Sequence, residues 1–373
     1  MNILVVNWQD ITNPLAGGAE VHLHQVFERI AAMGHRVTLF CSSFPGAPPE
    51  EDLNGIHVIR RGGRSFFNFR FLADYRSLLQ PMGFDVVVDD MNKIPFFTPL
   101  VVDTPVCGVT HHLFGRSIFL ETNPLAASYV YLAELAAVGV YRARKVPFIV
   151  GSPSTHAELV ARGFPASDVT LIHYGVDHRR HVPSIARKGS TPLIGYFGRL
   201  KKYKSVEHFL RALPSVREAV PGLKAVVVGE GDHRPRLEAA AASLGLDGCV
   251  AFTGFVSEER KVELLQEMWF AVAPSSKEGW GLTVVEANAC GTPVIASDVE
   301  GLRDAVKDGE TGLLYPYGDV PALTARILQL LQDTGLRARL TANAILWSKE
   351  FDWDRAARET VTLLRRRAGG QPR

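Results

Sequence analysis

Short, mostly apolar runs alternate with longer helical stretches along this chain, and the alternation starts over once. The first series comprises residues 3–6, 37–40, 57–59, 86–88, 107–110 and 148–150. The second comprises residues 192–197, 225–228, 250–252, 270–272 and 293–296. Runs that are apolar on both faces and separated by helices belong in parallel sheets covered on both sides. A length of 373 residues leaves room for two such domains, at roughly 100–200 residues each. The polar segment 178–191, which carries Pro183, reads as the linker. The expected architecture is therefore α/β: two doubly wound, Rossmann-like domains facing each other across a cleft, residues 1–180 and 181–354, with a closing helix at about 355–373 packing back on the first. Ligands in such sheets sit at the carboxyl ends of the strands. Residues 319–366 read as one long amphipathic helical region, marked by Trp347, Phe351 and Trp353, aromatics suited to anchoring the closing helix on the first domain or to plain core packing.

Composition narrows the partners. A formal net charge of +2 with no long basic run argues against nucleic acid. Cys41, Cys107, Cys249 and Cys290 lie far apart without metal-type spacing, as expected of reduced thiols in a cytoplasmic protein. The run 3–6 is too short for a secretory leader. Residues 125–141 form the most apolar long stretch. They include Ser128, Glu134 and Gly139 and fall short of the roughly 20 apolar residues of a span, so a buried helix is expected.

The most informative stretch is Glu278-Gly279-Trp280-Gly281-Leu282-Thr283-Val284-Val285-Glu286. Glu278 follows a strand through Pro274-Ser275-Ser276, which puts it on a loop at a strand end. Gly279 and Gly281 let the backbone turn sharply and approach a ligand. A helix starting near Gly281 aims its free amides at a bound phosphate, with Glu286 about one and a half turns inside it. Carboxylates accept hydrogen bonds in pairs, which suits the vicinal hydroxyls of a sugar or ribose.

This stretch, continued by Ala287-Asn288-Ala289-Cys290-Gly291-Thr292-Pro293-Val294, resembles the signature of the family-four retaining glycosyltransferases, which have the GT-B fold. The resemblance extends through Gly301-Leu302-Arg303-Asp304 and Asp308-Gly309-Glu310-Thr311-Gly312. It implies that Glu278 touches the donor sugar, that Glu286 takes the ribose hydroxyls, and that Gly279, Gly281 and Leu282 line the donor site. The acid–base carboxylate pair of a hydrolase fits poorly with a glutamate inside a helix beside a phosphate-binding turn.

Other segments complete the pattern. Gly198-Arg199-Leu200 with Lys204 follows a strand, and a fork-shaped guanidinium beside an ammonium suits a leaving diphosphate. Taken alone, Lys201, Lys202 and Lys204 also read as a solvated helix start. Gly17-Gly18 sits between the first strand and first helix, either as a tight turn or as a loop whose amides face an anion or acceptor. It is not the Gly-x-Gly-x-x-Gly fingerprint, so no nicotinamide cofactor is expected. By resemblance, His112 in Thr110-His111-His112 touches the reacting sugar, and Gly229, Gly231 and Val256 in two strand-end turns border the nucleotide base. The pair Asp89-Asp90 is thin evidence for a cation, and the resemblance implies neither metal nor cofactor. Arg60, Arg61 and Arg64 with Phe66, Phe67, Phe69 and Phe71 either border an acceptor pocket, touch an anionic lipid surface at the inner face of a membrane, or simply pack.

What these residues and the resemblance imply together is a metal-independent, retaining transfer of a hexosyl group from a UDP- or GDP-sugar to a hydroxyl acceptor, whether glycan, lipid-linked or small molecule. The alternatives are a nucleotide-sugar epimerase of the same architecture and a non-catalytic nucleotide-sugar-binding protein.

Overall fold

A computed structural model describes residues 1–92, 94–120 and 122–369. The chain divides into two compact units, one formed by Met1–Gly175 with Trp353–Arg373 and the other by Val176–Asp352. Residues 370–373, the end of the expected closing helix, lie outside the described residues.

The first unit holds an eight-stranded sheet: β1 (Asn2–Val6), β2 (Arg36–Cys41), β3 (Glu50–Leu53), β4 (Ile56–Arg60), β5 (Val86–Asp90), β6 (Val106–Thr110), β7 (Phe148–Val150) and β8 (Val169–Leu171). The strand order is β3-β4-β2-β1-β5-β6-β7-β8. All pairs are parallel except β3 with β4. The central strands β1, β5 and β6 are buried along their whole length, so their sequences show no alternation. β3 is the acidic edge Glu50-Glu51-Asp52-Leu53, and charge on an edge strand discourages pairing with other chains. The helices Gly18–Ala32 and Trp353–Ala368 pack on each other, tied at the surface by Arg29 Nε to Asp354 Oδ1 at 2.6 Å.

The second unit holds a six-stranded, wholly parallel sheet: β9 (Leu193–Phe197), β10 (Lys224–Val228), β11 (Val250–Gly254), β12 (Phe270–Ala273), β13 (Val294–Ser297) and β14 (Gly312–Tyr315). Its order is β11-β10-β9-β12-β13-β14. β9 and β12 pair at the point where the order reverses, which is where doubly wound sheets open a ligand crevice.

Two expectations change. The region 319–366 is three helices, Val320–Gln332, Thr334–Ser348 and Trp353–Ala368. Asp333 ends the first and caps the second, its Oδ1 accepting from Leu336 N at 2.8 Å. The aromatics divide accordingly: Phe351 packs on Trp347 and Trp280 in the second unit, whereas Trp353 stacks on Tyr174 in the first.

The second correction concerns Pro124–Ala143, expected to be buried. Ala127, Glu134, Ala137 and Tyr141 face the interior, but Leu125 is 86% exposed and Leu132 62%. Nearly every residue here is apolar, so periodicity carries no information about which face meets water. Glu134 settles the orientation by turning inward, where its two oxygens accept from Phe114 N at 2.6 Å and Gly115 N at 2.9 Å.

Candidate active site

At the carboxyl end of the second sheet, three turns are laid backbone on backbone. Gly198 N donates to Val228 O at 3.1 Å, Leu200 N to Glu230 O at 2.8 Å, and Gly229 N to Gly254 O at 3.0 Å. The glycines permit this approach. A Cβ on Gly229 would lie 2.0 Å from Gly198 O, and one on Gly231 would lie 2.1 Å from Leu200 O. Gly229 also has φ of +131°, a conformation that penalises a side chain. Gly231 carries no such penalty, so Gly231→Ala isolates the steric term. It is expected to cost about 1–3 kcal/mol and to lower the melting temperature by several degrees, measured by thermal unfolding monitored by circular dichroism. Val256, half-buried, follows the third turn.

Beside this platform lies the loop after β12, where Ser276 N donates to Tyr203 O at 2.8 Å. Glu278 Oε1 accepts from Ser275 Oγ at 2.6 Å and from Lys204 Nζ. Burial opposes the Lys204 charge, but the Glu278 carboxylate outweighs it, so the ammonium titrates above the ordinary lysine range. Gly301 packs beneath: a Cβ there would meet Glu278 O at 2.3 Å. Gly281, at φ +78°, opens the helix Leu282–Ala289 without a side-chain cap, which leaves its first amides to serve a ligand. Gly279 and Leu282 are half-buried at this helix entry. Arg199 is exposed and has no ion-pair partner among the described residues. One cation is thus fixed and the other is available.

Glu286 sits deeper, at 8% exposure. Its Oε2 is 2.9 Å from Lys261 Nζ, and its Oε1 is 3.9 Å from His181 Nε2. Lys261 has no distinguishing mark in the sequence. It lies in the run Ser257-Glu258-Glu259-Arg260-Lys261, which reads as a solvated helix start and carries no local signal of its partner. Burial again opposes the Lys261 charge and Glu286 outweighs it, raising its pKa.

The first unit brings a separate set together. Gly17 N donates to Glu20 Oε2 at 2.7 Å, and Asn92 Nδ2 reaches both Glu20 Oε1 at 3.2 Å and Asn7 Oδ1 at 2.8 Å. Gly17 precedes the helix with φ −150°, and a Cβ on Gly18 would meet nothing within 4 Å. Steric packing therefore does not demand Gly18, and the loop leaves open space beside it. His112 follows β6, half-buried, with its ring 5.1 Å from that of Phe114. His111 is a core residue: Nε2 lies 3.0 Å from Asp90 Oδ1, and Nδ1 meets the Tyr174 hydroxyl.

Asp89 and Asp90 do not form a shared acidic site. Asp89 accepts from Thr98 Oγ1 at 2.7 Å and from the Tyr141 hydroxyl, while Asp90 serves His111. His22, Asp90 and His111 do offer ligand atoms within 4.8 Å of one another, the spacing at which a cation could be held. His111, however, is already engaged at both nitrogens. The arginine–phenylalanine stretch is mostly structural. Arg60 is buried on Asp10 (2.8 Å) and Glu51 (2.6 Å), Arg61 pairs with Glu50, and Phe67 and Phe71 are core. Arg64, Phe66 and Phe69 remain exposed.

Residues 177–347 match the family described as glycosyl transferases group 1, and residues 16–180 match glycosyltransferase family 4. A glycogen synthase of Mycobacterium tuberculosis is 27% identical over 406 residues, covering 100% of this chain and 97% of that protein. A D-inositol 3-phosphate glycosyltransferase of Acidothermus cellulolyticus is 37% identical over 168 residues, covering 43% of this chain and 37% of its own. Among solved structures, sucrose-phosphate synthase from Thermosynechococcus elongatus superposes with a TM-score of 0.85 at 22% identity, covering 99% of this chain and 100% of its own. Anabaena Alr3699/HepE in complex with UDP and glucose superposes at 0.77 with 19% identity, covering 98% and 99%.

Proposed function

The chain belongs to the glycosyltransferases of group 1 and family 4, with the GT-B fold, and we propose that it moves a hexosyl group from a UDP- or GDP-sugar to a hydroxyl acceptor with retention and without a metal. In this reading the second unit binds the donor and the first the acceptor. The observation that carries it is the Lys204–Glu278–Ser275 cluster at the uncapped start of the Gly281 helix. A cation held there meets the charge that grows on the leaving diphosphate, and exposed Arg199 adds a two-pronged donor for its oxygens. The UDP and glucose in Anabaena Alr3699/HepE support a uridine donor.

In the reaction, the acceptor oxygen bonds to the anomeric carbon on the face from which the diphosphate departs. The carbon–oxygen bond to the diphosphate breaks, and the acceptor proton passes to the released phosphate oxygen. Glu278 orients the sugar hydroxyls, Glu286 takes the ribose, Gly229, Gly231 and Val256 border the base, His112 touches the reacting sugar, and the Gly17-Gly18 loop serves the acceptor side. All four cysteines are buried and unpaired, which suits a reducing compartment, and we place the reaction in the cytoplasm.

Calorimetric titration with UDP-, GDP- and ADP-glucose in EDTA tests the reading. One donor is expected to bind without metal. Glu286→Ala is expected to weaken it by about 1.5–3 kcal/mol, the range of a charge-assisted hydrogen bond. Binding that ignores Glu286, or that needs a divalent cation, would overturn it.

A further inference from the structure

The helix Pro124–Ala143 is the one described helix long and apolar enough to cross a membrane, yet it is only partly buried in the first unit. Between Pro124 and Tyr141 its single charged side chain, Glu134, faces inward, while its outer stripe is apolar: Leu125 at 86% exposure, Tyr129 at 39%, Leu132 at 62% and Leu135 at 43%. A surface helix normally shows the reverse pattern.

The apolar area continues beyond this helix. Phe119, 44% exposed, lies against Tyr131 with ring centroids 6.0 Å apart. Asn68 Nδ2 donates to Tyr129 Oη at 3.2 Å, which joins the neighbouring helix Phe67–Asp74 to the stripe and brings in Phe66 (68%) and Phe69 (53%). A contiguous apolar surface of this kind marks an interaction site.

Among the described residues, the unpaired exposed charges of these segments share one sign. Arg64, Arg76 and Arg116 are exposed in these segments and have no ion-pair partner among the described residues. The described carboxylates there are occupied, Asp74 by Arg70 and Glu134 by backbone amides.

We propose that this face of the first unit docks on an anionic lipid bilayer, with Pro124–Ala143 lying in the interfacial plane and its exposed leucines and aromatics entering the headgroup–acyl boundary. Crossing the bilayer would expose the Glu134 carboxylate and strip Ala127, Ala137 and Tyr141 from the core, where each is fully buried. A second copy is the poorer occupant, because a two-fold interface through this face sets the same arginines against each other. Arginines around an apolar centre instead complement anionic headgroups around acyl chains. This inference rests on the surface of the first unit and not on the donor site, so either can fail without the other.

The test is flotation of the full chain with vesicles of phosphatidylcholine and of an equimolar phosphatidylcholine–phosphatidylglycerol mixture. Wild type is expected to float with the mixture and much less with phosphatidylcholine alone. The apolar variant Leu125→Glu/Leu132→Glu and the charge variant Arg64→Glu/Arg116→Glu are each expected to reduce binding about tenfold or more. Both alter exposed side chains, and unchanged thermal unfolding confirms that they fold. The proposal is overturned if wild type does not float, if either folded variant floats as well as wild type, or if the apolar variant instead dissolves a dimer seen by light scattering.

Discussion

Arg199→Ala combined with Lys204→Ala is expected to lower kcat by about a thousandfold while sparing much of the nucleotide affinity. Each charge-assisted contact is worth about 1.5–3 kcal/mol, and two together correspond to roughly 10²–10⁴ in rate. The loss falls on kcat because the charge these groups oppose grows only as the glycosidic bond breaks. Steady-state kinetics with the donor identified by calorimetry would read it. Lys204→Ala has a second effect, because Glu278, 18% exposed, loses its cation. Unpairing a half-buried carboxylate lowers stability as well as activity. Adding Glu278→Gln to Lys204→Ala should restore the melting temperature without restoring turnover. Normal turnover in the double alanine variant would remove the diphosphate role from both residues.

The second large effect concerns stability and pH. Asp89 is buried in the first unit, with its Oδ1 lacking a partner. Burial pushes its pKa up to about 6 from the ordinary 3.8, although hydrogen bonds from Tyr141 and Thr98 oppose the shift. Below about pH 4 the group is protonated in both folded and unfolded chains. Between there and about pH 6 the unfolded chain releases the proton first, so this contribution to stability falls as pH rises. Above about pH 6 the deficit levels off at about 3 kcal/mol, each pKa unit being worth 1.36 kcal/mol. Urea unfolding of wild type and Asp89→Asn should therefore diverge from pH 4.5 to pH 7.5, with the variant gaining on wild type. Parallel curves across that window would show that Asp89 is ionised in both states and that its neighbours solvate it.

The candidate site of the second unit is legible in the sequence because its residues are contiguous. Glu278 through Glu286 occupies one loop and one helix, and Gly198–Leu200 and Gly229–Gly231 read as strand-end turns, although the close approach their glycines permit is between turns. The partner of Glu286 was not legible. Lys261 comes from another helix, and its segment carries the charge pattern of any solvated surface. The buried fate of Arg60 is equally hidden, since Asp10 reaches it from a distant part of the chain and Glu51 from an edge strand that does not read as one. Among the strands, β3 does not read as one because it is acidic, and β8 and β14 lie outside the apolar runs read from the sequence. The helix Pro124–Ala143 departs furthest from the sequence expectation, because its sequence is apolar on every side. There the one inward glutamate decided the orientation, and only the fold shows what it binds.

Topologically, the second unit is an insertion into the first. The chain leaves after Gly175 and returns at Trp353, and the two crossings are pinned together where Val176 pairs with Asp352 and Val176 N donates to Phe351 O at 3.2 Å. On the ribosome, residues 176–352 are therefore all present before the first unit has its last piece. Until Trp353–Ala368 emerges, the surface that receives Trp353, Ala357 and Leu364 has nothing to cover it, leaving His22 and Tyr174 without their aromatic neighbour. The nascent chain carries a finished second unit beside an unfinished first one, and a chain cut short before residue 353 would stay that way.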